Sequence, residues 1–215
     1  MPPTPHRPAG VPSGRATWTR RLVQLYAALL LYGVSMALLV RSGLGVMPWD
    51  VLHQGLARQL GWSLGTVTVV VGAVVLLAWI PLRERPGLGT VSNVLVIGVA
   101  VDAALVVLPA APSVAAGMGF AAAGILLNAL ATAAYIGVRL GPGPRDGLMT
   151  GLVRRTGRSI RLVRTSIEVL VVATGWLLGG TLGLATVLYA LSVGPLVHAL
   201  LPRVSVPERT STAAR

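Results

Sequence analysis

Gly45 to Leu56 reads GVMPWDVLHQGL, and 96 positions later Gly141 to Leu152 reads GPGPRDGLMTGL. Both stretches fit G-x-x-P-x-D-x-L-x-x-G-L. The correspondence continues at the same offset without a gap. Arg58, Gly61, Ser63 and Leu64 fall on Arg154, Gly157, Ser159 and Ile160, and Gly87, Leu88, Thr90, Val91 and Gly98 fall on Gly183, Leu184, Thr186, Val187 and Gly194. The chain therefore reads as a tandem duplication. Its period is too long for a solenoid repeat, so the two copies are expected to be structural halves.

Composition sets the class. Hydrophobic residues make up 54% of the chain and charged residues 11%, and mean hydropathy is +0.76, values foreign to a water-soluble domain. Cysteine is absent, which excludes disulfides and thiolate metal sites. The net charge of +12 would suggest nucleic-acid binding in a soluble protein, but here the arginines lie outside the apolar runs and speak of membrane topology.

Residues 1–21 carry five prolines and four arginines with little to bury, and are expected to form a disordered basic tail. The first half, residues 22–109, holds apolar runs at Leu22–Val40, Leu64–Leu82 and Thr90–Leu108, each long enough to span a bilayer. Trp79 sits near the end of the second run as an expected interface anchor. The uncharged linker Pro109–Ser113 leads to the second half, residues 114–201, with runs at Val114–Val138, Leu162–Gly180 and Leu182–Leu201. A polar tail, residues 202–215, closes the chain. The expectation is an all-α membrane protein of six spans in two sets of three.

Cytoplasmic loops hold the excess of positive charge. With the N-terminus inside, sixteen arginines fall on the cytoplasmic side and only Arg41 and Arg58 outside. Both termini are then cytoplasmic. Because each half has an odd number of spans, the second half is expected to be inverted relative to the first.

Proline at the first helical position has no N–H to lose and a backbone angle suited to a helix. An aspartate two residues later meets the positive end of the helix dipole. Pro48 and Pro144 are thus each expected to start a helix of about a dozen residues, too short to span and suited to a re-entrant or interfacial position. Asp50 and Asp146 have two open readings: helix caps and nothing more, or gates on a substrate path framed by two opposed helix N-termini.

Ionisable residues inside the runs are few and costly to insert. Asp102 lies seven residues before Pro109, and its repeat counterpart is His198. Both are candidates for proton coupling, with an interfacial histidine beside Arg203 as the plainer reading of His198. Glu168 is either a third candidate or simply a partner of Arg164 one turn away. Asn93 and Asn128 either bond across helices as packing glue or line a polar cavity. His53, three residues after Asp50, makes a poor metal site because no second group of ligands accompanies it. No phosphate-binding loop, dinucleotide fingerprint, G-x-S-x-G or H-E-x-x-H is present, so nothing argues for an enzyme or a cofactor.

The runs GLGVMPWDVLHQGLARQLGWSLGTVTVVVG, RPGLGTVSNVLVIGVAVD, GPRDGLMTGLVRRTGRSIRLVRTSIEV and GTLGLATVLYALSVGPLV resemble the YczE/YitT group of bacterial integral membrane proteins, and within it the YczE branch. The likeness covers Leu22 to Leu201. It implies a multi-pass protein of the bacterial inner membrane and, for some relatives, an association with antibiotic production or an exporter role. It assigns no catalytic residues. Two functions are therefore expected as alternatives. One is an ion- or proton-coupled exporter of a small molecule, with Pro48, Asp50, His53, Asn93, Asn128, Pro144 and Asp146 along its path. The other is a non-transporting accessory protein that docks a cytoplasmic partner on Arg154, Arg155, Arg158 and Arg161, a face equally suited to anionic lipid.

Overall fold

A computed structural model describes residues 14–206, which form eight helices and, among the described residues, no strand. These are α1 (Gly14–Ser42), α2 (Pro48–Leu60), α3 (Leu64–Leu82), α4 (Leu88–Val107), α5 (Val114–Gly137), α6 (Pro144–Thr156), α7 (Ile160–Leu177) and α8 (Leu184–Val204). Five of them, α1, α3, α4, α5 and α8, are long and apolar enough to cross a membrane. Helix α7 falls outside this group because Arg161, Arg164 and Glu168 occupy its first half.

The first helix begins earlier than its apolar run. The expected tail reached Arg21, whereas α1 already includes residues 14–21, and residues 1–13 lie outside the described residues. Arginine is a good helix former, and extending an existing helix costs little. Gln24 ties this end down, donating to the carbonyls of Ala134 (2.9 Å) and Val204 (2.8 Å). At the other terminus α8 runs on through Pro202 to Val204, and buried Val206 donates its N–H to the Gly137 carbonyl at 3.0 Å. Residues 207–215 lie outside the described residues.

Both short helices form as proline and glycine dictate. Pro48 and Pro144 occupy the first turn, and Gly61 (φ 69°) and Gly157 (φ 66°) end the helices in the left-handed conformation. The other positive-φ residues also pair at an offset of 96: Gly43 (68°) with Arg139 (55°), Gly45 (115°) with Gly141 (122°), and Arg83 (56°) with Gly179 (95°). The same offset relates two hydrogen bonds that join the halves, Gly89 N–H to Leu140 O (2.8 Å) and Ala185 N–H to Leu44 O (2.9 Å).

Helix α1 packs against α4 and α5, and α5 packs against α8. Each short helix lies on a long helix of the opposite half, α2 on α7 and α6 on α3. Two contacts with small and large partners exchanged bring them close. A Cβ on Gly175 would strike the backbone of Val51 and Leu52, and a Cβ on Gly147 would enter the ring of Trp79. Trp79 is consequently not an interface anchor. It is 1% exposed, and its Nε1 donates to the Pro144 carbonyl at 3.0 Å, because the missing side chain at Gly147 leaves room for the indole.

The far end of each short helix is fastened to a turn of the other half. Arg58 donates to the Gly179 carbonyl and to Thr181 Oγ1 (3.2 Å). Its counterpart Arg154 donates to the Leu82 carbonyl (3.4 Å) and pairs with Glu84 at 2.8 Å, while Arg155 donates to the Pro81 carbonyl at 2.6 Å.

Candidate functional site

The N-termini of α2 and α6 meet at a cavity of about 460 Å³. Its volume suits a small organic ligand. Helices α3 and α4 close one wall by tight packing: a Cβ on Gly65 would collide with the Gly98 carbonyl, and one on Gly98 would lie 2.7 Å from the Gly65 carbonyl. Helices α7 and α8, by contrast, scarcely touch. The cavity extends between them, bordered by Arg164 and Glu168 on α7 and by His198 and Leu201 on α8.

Trp49 and Arg145 stand at the centre. The guanidinium carbon of Arg145 lies 5.1 Å from the centroid of the Trp49 ring, within the range of a cation–π contact. Each residue occupies the position between proline and aspartate in its copy of the motif. Arg145 makes no hydrogen bond and no ion pair among the described residues, and its charge lies within electrostatic reach of Asp50 and Asp146. By charge count alone Arg145 is one of the sixteen arginines assigned to the cytoplasmic side. The unlike pair Trp and Arg at one motif position was the signal available for it.

The two aspartates have unequal surroundings. Asp50 is fully buried behind Trp49 and His53, and α2 has no side-chain cap. Its Oδ1 lies 3.0 Å from His53 Nδ1, and its Oδ2 has no partner. The buried carboxylate thereby fixes the ring that borders the cavity. Asp146 opens to the cavity and turns toward the backbone N–H of Gly143. The residue is exposed to this space, while protein atoms crowd around it. Burial pushes its carboxyl above the ordinary carboxylate range, while Arg145 and then Arg164 pull it back.

The remaining predicted residues divide. Pro48, His53, Asn93, Pro144, Asp146, Glu168 and His198 all border the cavity. Asn93 has no side-chain hydrogen bond among the described residues, and Glu168 pairs with Arg164 at 2.9 Å. Asn128 is buried glue: its Nδ2 donates to Ser35 Oγ (2.9 Å) and its Oδ1 accepts from Tyr189 (2.7 Å), which links α5 to α1 and α8. Asp102 lies away from the cavity. Its carboxylate accepts from Ser63 Oγ (2.6 Å) and from the Gly65 N–H (2.7 Å), and so binds α4 to the first turn of α3.

A family described as of unknown function, DUF6198, matches residues 19–202. The chain belongs to this family. An uncharacterized protein of Haemophilus influenzae is 42% identical over 177 residues, covering 82% of this chain and 81% of that protein. The uncharacterized membrane protein YczE of Bacillus subtilis is 30% identical over 176 residues, 81% of each chain, and the uncharacterized protein YyaS of the same organism is 26% identical over 178 residues, 81% of this chain and 89% of that one. No solved structure matches the chain. The resemblance to a YczE-like family thus holds for most of the chain, and with its apolar helices marks the DUF6198 protein as a multi-pass integral membrane protein.

Proposed function

We propose that the protein is a secondary transporter of a small organic molecule in the bacterial inner membrane, built from two halves inserted in opposite orientations. Six helices then cross the membrane, α7 among them because Arg164 and Glu168 border the cavity. Helices α2 and α6 re-enter from opposite faces. The arginine distribution supports cytoplasmic termini at both ends.

One observation carries this reading: the cavity lies where the two short helices meet, walled by packed α3 and α4 and extended between separated α7 and α8. Positions 96 apart play the corresponding parts, so exchanging which pair of helices is packed would move the opening to the other face. A chain without a nucleotide-binding motif takes its energy from a gradient. Coupling belongs to titratable groups on the cavity, namely His53, Glu168 and His198, whereas Asp102 already serves α3 as a cap. Docking of a cytoplasmic partner has less support, since Arg154 and Arg155 are engaged within the protein and leave Arg158 and Arg161.

The test is the reactivity of a cysteine at Asn93, in a chain that has no other, toward an impermeant thiol reagent applied to either face of sealed vesicles. Labelling from both faces, in proportions that change with the proton gradient, is the expected result. Labelling from one face only, at any gradient, removes the transport reading.

A further inference from the structure

Resting on the transport reading, the geometry points to the substrate class: we infer that Arg145, over the ring of Trp49, receives the carboxylate of a small organic anion whose apolar body occupies the rest of the cavity. The inference starts from an inequality among the charged groups of this site. Glu168 is answered by Arg164 at 2.9 Å, Asp50 is buried against His53 at 3.0 Å, and Asp146 turns to the Gly143 amide. Arg145 has no hydrogen bond and no ion pair among the described residues, and it is the cation that borders the cavity without a carboxylate bound to it.

The guanidinium carbon lies 5.1 Å from the indole centroid, and none of its five N–H donors is taken by a hydrogen bond among the described residues. That fork matches the two oxygens of a carboxylate. Asn93 and Thr132 add polar side chains without hydrogen bonds among the described residues on the same cavity, and Val75, Val94, Ile97 and Val193 provide apolar wall. A rigid aromatic against the cation limits its motion, so little ordering remains to be done on binding.

Asp50 and Asp146 temper the site. They keep the arginine charged in its enclosed position, and they oppose an incoming anion, which limits affinity. A transporter needs that balance, because a substrate held too tightly is not released. A cationic substrate would meet the guanidinium directly.

Three probes of matched ring size separate the classes: benzoate, benzyl alcohol and benzylammonium, titrated calorimetrically into the detergent-purified protein. Benzoate is expected to bind, with the other two weaker by at least about tenfold, and Arg145→Gln is expected to lower benzoate affinity by a similar factor. Arg145→Lys, which keeps the charge and loses the fork, should fall between them. Protection of a cysteine at Asn93 by benzoate and not by benzylammonium gives the same answer with Arg145 in place, should the glutamine variant not fold. Preference for benzylammonium, binding of none of the three, or unchanged benzoate affinity in Arg145→Gln each overturns the proposal. Two-sided labelling at Asn93 alongside any of these results leaves transport standing and removes only the anion.

Discussion

Arg145 lies over the ring of Trp49 at 5.1 Å, and the two residues hold the same place in a motif that occurs twice, 96 positions apart. The contact therefore joins the two halves through equivalent positions. A cation–π pair is worth about 0.5–2 kcal/mol according to its desolvation. In a double-mutant cycle of Trp49→Leu and Arg145→Gln, melting in detergent should give a favourable coupling in that range. Strict additivity would show that the contact carries no energy.

Gly147 and Trp79 exchange sizes with their counterparts Val51 and Gly175. Gly147→Val should destabilise by about 1–3 kcal/mol through overpacking against the indole. Adding Trp79→Gly, which recreates the pairing of Val51 with Gly175, should return part of that loss. A double variant as unstable as the sum of the two singles would contradict the close approach of α6 to α3.

Asp102 binds α4 to the start of α3. Asp102→Ala should lower stability by about 1–2 kcal/mol, the scale of a lost cap, with Asp102→Asn milder because its amide oxygen still accepts. Neither should abolish the pH dependence of labelling at Asn93. Loss of that dependence in a stably folded Asp102→Asn would return this residue to the coupling mechanism.

Asp146, on the short helix α6, has its carboxyl raised by burial; it faces Arg145 on its own helix, Arg164 on α7 and Tyr135 on α5. Above the raised value it is charged and opposes an anion at Arg145, and below it is neutral. Benzoate affinity should therefore rise severalfold as pH falls through that value, and Asp146→Asn should hold the higher affinity and flatten the profile. A profile unchanged in the asparagine variant would show that Asp146 is not the group responsible.

Much of this architecture was legible because it rests on local rules. Pro48 and Pro144 announce the starts of both short helices and their length of about a dozen residues, and the apolar run Leu64–Leu82 gives α3 its bounds. What was not legible depends on which helix faces which. Sequence alone could not say that Asp102 would reach the first turn of α3, that Asn128 would lie in a buried network with Ser35 and Tyr189, or that Trp79 would turn inward to fill the space over Gly147. The same limit hid Arg145 among the loop arginines. Its environment is made by Trp49, some 96 residues away, and no local pattern distinguishes an arginine facing a cavity from one facing headgroups.

The central claim is that the two halves enter the membrane from opposite faces around one cavity. Trp62 and Arg158 test it most directly, being exposed, 96 positions apart and each in the turn after a short helix. Single cysteines at these positions are labelled with an impermeant thiol reagent in sealed vesicles of known orientation. The account predicts that Trp62→Cys reacts from the outer face and Arg158→Cys from the cytoplasmic face. Reaction of both from the same face would contradict it.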